Sequence, residues 1–189
     1  MTDKRFNPEL AQKLFSDERQ KMLRANEIIE AIGVDQNDVI ADLGAGNGYF
    51  TIPFAKTARH VYAVDIEPKM LALSEDYAKK EKVTNIEYVV SDLLDIQLDS
   101  GQADVAFVAF VIHEVEPMKN ALEEISRILK PGGKLVLLEW KPEDHPDMGP
   151  PSLERIAPDK LQDILQQHGF ETTLFYENEK MYGISAHIT

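Results

Sequence analysis

From residue 34 onward, short apolar runs alternate with segments whose apolar residues recur every three or four positions. The runs "VIADLG" from Val39, "HVYAVDI" from His60, "IEYVVSD" from Ile86, "ADVAFVAFVI" from Ala103 and "GKLVLLEW" from Gly133 predict five strands. The fourth is almost wholly apolar, as a strand buried on both faces should be. Between them the spacing predicts helices over 49–58, 68–82, 117–129 and 158–168. Pro53 must sit in the first turn of the first and Pro68 opens the second. Leu122, Ile125, Ile128 and Leu129 form the core stripe of the third. "FETTLFYEN" and "MYGISAHI", divided by a tight polar turn, predict a closing antiparallel hairpin.

Upstream, Asn7-Pro8 reads as N-cap and first helical position of a short helix carrying Leu10, Leu14 and Phe15. Ser16 can cap a second helix. Its apolar positions are Met22, Leu23, Ile28, Ile29 and Ile32, and Gly33 stops it.

Strands interleaved with helices imply right-handed crossovers and a parallel sheet, to which the hairpin adds one antiparallel strand. The expected organisation is one domain over 1–189, with 1–33 a helical arm or lid and 34–189 an α/β core. In such sheets ligands sit beyond the carboxyl ends of the strands, near the switch in strand order. The informative residues are therefore those just after each strand.

Composition narrows the chemistry. The 189 residues contain no cysteine, which excludes a disulfide framework, a cysteine zinc site and a thiolate nucleophile. No apolar run spans a bilayer, and "MTDKRFNPEL" has no signal-like core, so a cytoplasmic location is expected. A formal charge of −13 disfavours phosphate backbones as partners. Arg19, Lys21 and Arg24, diluted by Asp17 and Glu18, read as a solvated helix face. No cluster has metal-ligand spacing.

Three acids stand at three successive strand ends. Asp42 precedes Gly44, Gly46 and Gly48, which permit positive φ and let a ligand approach backbone amides, or merely make a tight turn. Asp65 lies 17 residues after Gly48, where an acid accepts from ribose hydroxyls, or else caps the helix near Pro68 as Glu67 also could. Asp92, after Ser91, can accept from an adenine amine, or cap a turn. The spacing Gly44-Ala45-Gly46-Asn47-Gly48 is not the dinucleotide fingerprint. A carboxylate beside it is unhelpful to a pyrophosphate and useful to a cofactor that brings positive charge.

The chain resembles the class I S-adenosylmethionine-dependent methyltransferases, small-molecule branch, over nearly its whole length. "VIADLGAGNGYF", "VYAVDIEP" and "VVSDLLDI" resemble that family's first three motifs, and "ALEEISRILKPGGKLVLLEW" its helix, glycine turn and fifth strand. The resemblance implies a Rossmann-like fold, a seven-stranded mostly parallel sheet with an antiparallel last strand. It also implies S-adenosylmethionine as cofactor. Asp42, Gly44, Ala45 and Gly46 would then lie at the methionyl end. Asp65 would hold the ribose hydroxyls and Ile66 would pack on the adenine. Asp92 would take the adenine amine beside the Leu93 amide, and the backbone around Phe110 would face the methionyl amino group.

Methyl transfer from sulfonium is an in-line displacement, so alignment and water exclusion dominate, and a base is needed only if the acceptor must lose a proton. His113, on the rim after the fourth strand, is the candidate base; the alternatives are a cap for the next helix or packing beside the cofactor. Glu114 is expected to point elsewhere, and His60, His168 and His187 are weaker candidates. The proline-rich loop 141–158 leaves the active rim, with His145, Met148 and Arg155 as candidate acceptor contacts, or as parts of a plain connector. The family's amino-directed nucleic-acid motif is missing, for that place reads Phe110-Val111-Ile112-His113. A small-molecule acceptor is therefore expected, with carbon, oxygen and nitrogen all open as targets. No nucleic-acid or membrane partner is expected, and a homodimer is admissible. The competing readings are a non-catalytic adenosylmethionine-binding protein and, disfavoured by glycine spacing, a nicotinamide oxidoreductase.

Overall fold

The computed structural model describes residues 23–143 and 149–188. The helix expected over 6–15, the cap at Ser16, and Met22, His145 and Met148 lie outside them. The described chain runs α1 (Ala25–Ile32), β1 (Val39–Leu43), α2 (Thr51–Thr57), β2 (His60–Asp65), α3 (Pro68–Glu81), β3 (Ile86–Val90) and β4 (Ala103–Ala109). It continues with α4 (Met118–Ile128), β5 (Leu129–Trp140), α5 (Pro158–Gln167), β6 (Phe170–Glu177) and β7 (Met181–Ile188). Short 3₁₀ turns occupy Ile112–Glu114 and Ser152–Glu154.

The sheet order is β3-β2-β1-β4-β5-β7-β6. Every pairing from β3 to β5 is parallel, and β7 runs antiparallel between β5 and β6. This is the seven-stranded arrangement expected from the pattern of runs. The order reverses between β1 and β4, which places the switch point beside the glycine turn.

Burial follows position in the sheet. All five residues of β1 are buried, whereas edge strands β3 and β6 alternate or open to solvent. One face is covered by Leu122, Ile125 and Ile128 of α4 with Leu161 and Leu165 of α5. The other is covered by Ile28, Ile29 and Ile32 of α1 with Phe54 of α2. α1 is thus a core helix, ended as expected by Gly33 at φ 72, whose N–H donates to Glu30 and Ile29 carbonyls.

Three elements differ most from the sequence expectation. β4 ends three residues early, at Ala109, because Phe110 turns to φ 60° and Ile112 opens a 3₁₀ turn. α2 starts two residues late, because Tyr49 and Phe50 still belong to the turn that follows the glycines. β5 starts four residues early, because Leu129 already pairs with Ala103 and the Pro-Gly-Gly segment bulges out before Lys134 pairs with Val105.

The β3–β4 crossover carries no helix. Its backbone polar groups are satisfied by side chains instead. Arg127 of α4 donates to the carbonyls of Leu98 and Ile96, both at 2.7 Å, and Glu124 accepts the Ile96 N–H at 2.9 Å. Ser91 accepts from Gln97 N–H and donates to the Asp95 carbonyl.

In β4, Phe107 is fully buried and packs on the rings of Phe50 and Phe54 at centroid distances of 4.9 and 4.8 Å. Phe107→Ala is expected to lower the free energy of unfolding by about 3–5 kcal/mol. The readout is a lower urea midpoint at unchanged slope. A loss under about 1 kcal/mol would show that α2 closes over the gap and that this aromatic trio does not fix its position.

Candidate active site

The turn after β1 is built by its own amides. Gly44 and Ala45 both donate to the Val64 carbonyl of β2, at 2.8 and 3.0 Å, and Gly46 N–H donates to Asp65 Oδ2 at 2.8 Å. The three glycines have φ of 77°, 55° and 87°, and they are glycines for different reasons. A Cβ on Gly44 would stand 2.5 Å from Val111 Cγ2, and one on Gly48 2.3 Å from Ser74 Oγ. A Cβ on Gly46 would meet only Met70 Cε, at 3.6 Å. Internal packing therefore demands glycine at 44 and 48, while Gly46 faces open space.

That space is a cleft of about 870 Å³ at the carboxyl ends of the strands. It is within the ~300–1,000 Å³ typical of small-molecule sites. It brings together every cofactor residue expected from sequence: Asp42, Gly44, Ala45, Gly46, Asp65, Ile66, Asp92, Leu93 and Phe110, and it also takes in His113. Among the described residues its lining includes seven acids (Asp42, Asp65, Glu67, Asp92, Glu114, Glu116, Glu154) and no lysine or arginine.

Asp42 is 2% exposed and accepts from Thr51 Oγ1 at 2.6 Å. Burial pushes its carboxyl up to about 7, against the pull of the Thr51 hydroxyl and with help from the Asp65 charge. Burial also raises Asp65, opposed by N–H groups of Glu67, Gly46 and Ile66. The helix-capping alternative for Asp65 falls partly to Glu67, which accepts Lys69 N–H at the start of α3, although Asp65 Oδ1 still takes Glu67 N–H at 2.9 Å. Asp92 Oδ1 makes a turn by accepting Leu94 N–H at 3.0 Å. Ile66 is 39% exposed, an apolar platform on the cleft wall. Phe110 holds φ 60°, its N–H on the Leu138 carbonyl and its ring stacked on Trp140 at 4.4 Å. Such a conformation is uncommon for a bulky residue and clusters at functional sites.

His113 is not presented bare to the cleft. Its side chain is 2% exposed, and Nδ1 lies 2.9 Å from both oxygens of Glu139, itself fully buried in β5. Burial alone would lower the imidazole; the Glu139 carboxylate, with Glu114 and Glu154 farther off, more than offsets it and holds it above the ordinary histidine range. Glu114, expected to point elsewhere, lines the cleft 3.7 Å from His113 Nε2.

Sequence reasoning missed Glu139, Trp140, Asn47 and Glu154; from the proline-rich loop 141–158, Gly149, Pro150 and Pro151 line the cleft. Glu139 had a signal, a lone charge in the run "LVLLEW". Asn47 is 2% exposed on the cleft, and its Nδ2 has no partner among the described residues. Arg155 does not turn to the cleft: its guanidinium donates to the carbonyls of Pro150, Lys141 and Glu143, fixing the loop after β5. His168 Nδ1 bonds the Ile164 carbonyl at a helix end, and His60 pairs at 3.8 Å with Glu87.

The model of the methyltransferase domain family matches residues 41–137, from within β1 to within β5. The chain belongs to this family. Methyltransferase-domain relatives include a demethylmenaquinone methyltransferase of Renibacterium salmoninarum, 29% identical over 123 residues, 65% of this chain and 48% of that protein. Another is the ubiquinone/menaquinone biosynthesis C-methyltransferase UbiE of Hydrogenovibrio crunogenus, 33% identical over 62% of this chain and 48% of that protein. The chain spans about half the length of these curated relatives. The crystal structure of a SAM dependent methyltransferase from Aquifex aeolicus superposes with a TM-score of 0.91 at 26% identity, covering 98% of this chain and all of that one. No helix among the described residues is long and apolar enough to cross a membrane, and no metal-ligating cluster is found among them.

Because its folded-state carboxyl sits near 7 and the unfolded value is 3.8, Asp42 binds more protons folded than unfolded between those values. Its contribution is therefore fully present below about pH 4 and is lost as pH rises through 7. Asp42→Asn, which keeps an acceptor for Thr51, is expected to match the parent in melting temperature near pH 4 and to exceed it at pH 8. Equal melting temperatures at pH 8 would mean that Asp42 is not desolvated.

Proposed function

We propose that this chain is an S-adenosylmethionine-dependent methyltransferase acting on a small-molecule acceptor. The observation that carries this reading is the acid-lined cleft. Among the described residues, seven acids and no lysine or arginine surround a glycine turn that in phosphate-binding proteins would cradle an anion. Such a lining repels a pyrophosphate and welcomes a ligand that brings positive charge.

When bound, the cofactor supplies a methyl group on a sulfonium, already activated for in-line displacement, and carries a second positive charge on its amino group. The residues fit it. Asp42, Gly44, Ala45 and Gly46 would hold the methionyl end with the Phe110 backbone, and the unpartnered Asn47 amide offers a donor to its carboxylate. Asp65 would accept from the ribose hydroxyls, Ile66 would carry the adenine, and Asp92 with the Leu93 amide would meet the adenine edge. No residue in this set has to move a proton; they orient the donor and exclude water.

The acceptor side of the same cleft includes Tyr49, Phe50, Val115, Trp140, Pro150 and Pro151. These suit a flat, largely apolar ring, in keeping with the quinone names of the relatives. We therefore place the acceptor among aromatic ring compounds bearing hydroxyl groups. The domain is read as single, with α1 packed into its core, cytoplasmic in location and admitting a homodimer.

Calorimetry with adenosylhomocysteine tests the cofactor assignment. The parent should bind it and should not bind NAD. Asp65→Asn should weaken binding roughly 10–100-fold, one charge-assisted hydrogen bond of about 1.5–3 kcal/mol. Parental affinity in Asp65→Asn, or NAD bound more tightly than adenosylhomocysteine, would remove the assignment.

A further inference from the structure

A chain of ionisable side chains leads from the cleft wall into the core. Glu139 lies at its inner end, 0% exposed on β5, where its carboxylate also accepts Trp140 N–H at 3.2 Å. His113 comes next, on the 3₁₀ turn after β4, 2% exposed, with Nδ1 2.9 Å from both Glu139 oxygens. Glu114 forms the outer end. Its side chain is 24% exposed, and Oε1 is 3.7 Å from His113 Nε2, beyond a hydrogen bond but within an ion pair. A molecule in the cleft thus meets the Glu114 carboxylate before it can meet the imidazole.

Among the described residues, Glu154, from the loop after β5, and Tyr182 of β7 also face the trio. Tyr182 gives its hydroxyl to the Ile156 carbonyl at 2.7 Å and so is not available to Glu139 as a donor. A fully buried carboxylate without a cation or strong donors is costly. The His113 Nδ1–H and the Trp140 amide are the donors that Glu139 has here. That bond fixes the proton on Nδ1 and leaves the lone pair on Nε2, the nitrogen toward Glu114.

We propose that Glu114, His113 and Glu139 form a proton relay for the acceptor, with Glu114 the residue that touches it. The inference rests on the methyltransferase reading. The O–H bond of a ring hydroxyl breaks, its proton goes to a Glu114 oxygen, and its electron pair stays on the acceptor as the nucleophilic charge. Rotation of the partly exposed Glu114 side chain brings the proton to His113 Nε2, and the resulting imidazolium is balanced by Glu139. Glu139 is a positioning residue: it sets the tautomer and stabilises the charged imidazole, the logic of a carboxylate–histidine pair in hydrolases. His113 is therefore the proton store and not the group in contact with the acceptor.

Nitrogen-15 NMR of the histidine side chains in the whole chain tests this without any acceptor. At high pH, His113 is expected to carry its proton on Nδ1, and on acidification Nε2 should gain one with a midpoint above the ordinary 6.5. Glu139→Gln is expected to abolish the tautomer preference and to lower the midpoint, since burial is then opposed only by the Glu114 and Glu154 charges. Glu114→Gln, a near-isosteric change at a partly exposed site, should keep the tautomer and lower the midpoint by less. With a hydroxylated aromatic acceptor turned over by the parent, Glu114→Gln should lose about 10²–10⁴-fold in kcat. An Nε2–H tautomer in the parent, a midpoint indifferent to Glu114→Gln, or full turnover in that variant would overturn the relay. Absence of adenosylhomocysteine binding by the parent would instead overturn the methyltransferase reading and leave the NMR result standing.

Discussion

The approach of Gly44 to Val111 is the constraint on which the site depends. β1 and β4 are hydrogen-bonded neighbours, and the chain leaving β1 must turn across the exit of β4. There is no room for a side chain at that crossing, since a Cβ on Gly44 would lie 3.2 Å or less from three atoms of Val111. The same turn is drawn toward β2 by two N–H groups sharing the Val64 carbonyl. Held from both sides, it can present Gly46 to only one place, the space at the switch point. The cleft is thus a consequence of sheet order and of two glycines, Gly44 and Gly48, that internal packing already demands.

What lines that cleft works against the stability of the empty protein. Asp42 is desolvated with a hydroxyl as its side-chain partner, and Asp65 spends its oxygens on backbone amides. A carboxylate pushed up to about 7 is only half ionised at neutral pH, and a bound cation would complete its ionisation. Affinity for a positively charged ligand is in this sense stored as strain in the unliganded charges. This distinguishes the turn from glycine-rich phosphate loops of similar shape, where the amides alone do the binding and the surroundings are basic.

The strands were legible because buried parallel strands must be apolar on both faces, and "VIADL" and "ADVAFVA" largely are. The strand-end acids were legible for the complementary reason, a charge following an apolar run. Local bounds were less so. The bulge in β5 depends on which residue of β4 faces Leu129, and that is a tertiary fact. The helix-free crossover depends on Arg127 and Glu124, thirty residues downstream, supplying hydrogen bonds that no local pattern announces. The sequence places His113 on the rim, but its buried partner Glu139 stands 26 residues away and no local pattern pairs them. Pro150, Pro151 and Glu154 reach the cleft only because Arg155 folds their loop back on Lys141 and Glu143.

That loop also links the two ends of the site. Gly149 lies against the Trp140 ring, where a Cβ would stand 3.0 Å from three ring atoms. Trp140 stacks on Phe110, interplanar angle 27°, and Phe110 holds a left-handed backbone that costs a bulky residue about 1–3 kcal/mol. The stacking and the Phe110 N–H bond to Leu138 offset that cost. The backbone geometry at the proposed methionyl end is therefore supported by a ring whose other neighbour is the acceptor-side loop. Sequence change in the loop can reshape the acceptor wall freely only while it keeps a glycine against Trp140. Beyond that limit it would release Phe110 and disturb the cofactor side as well.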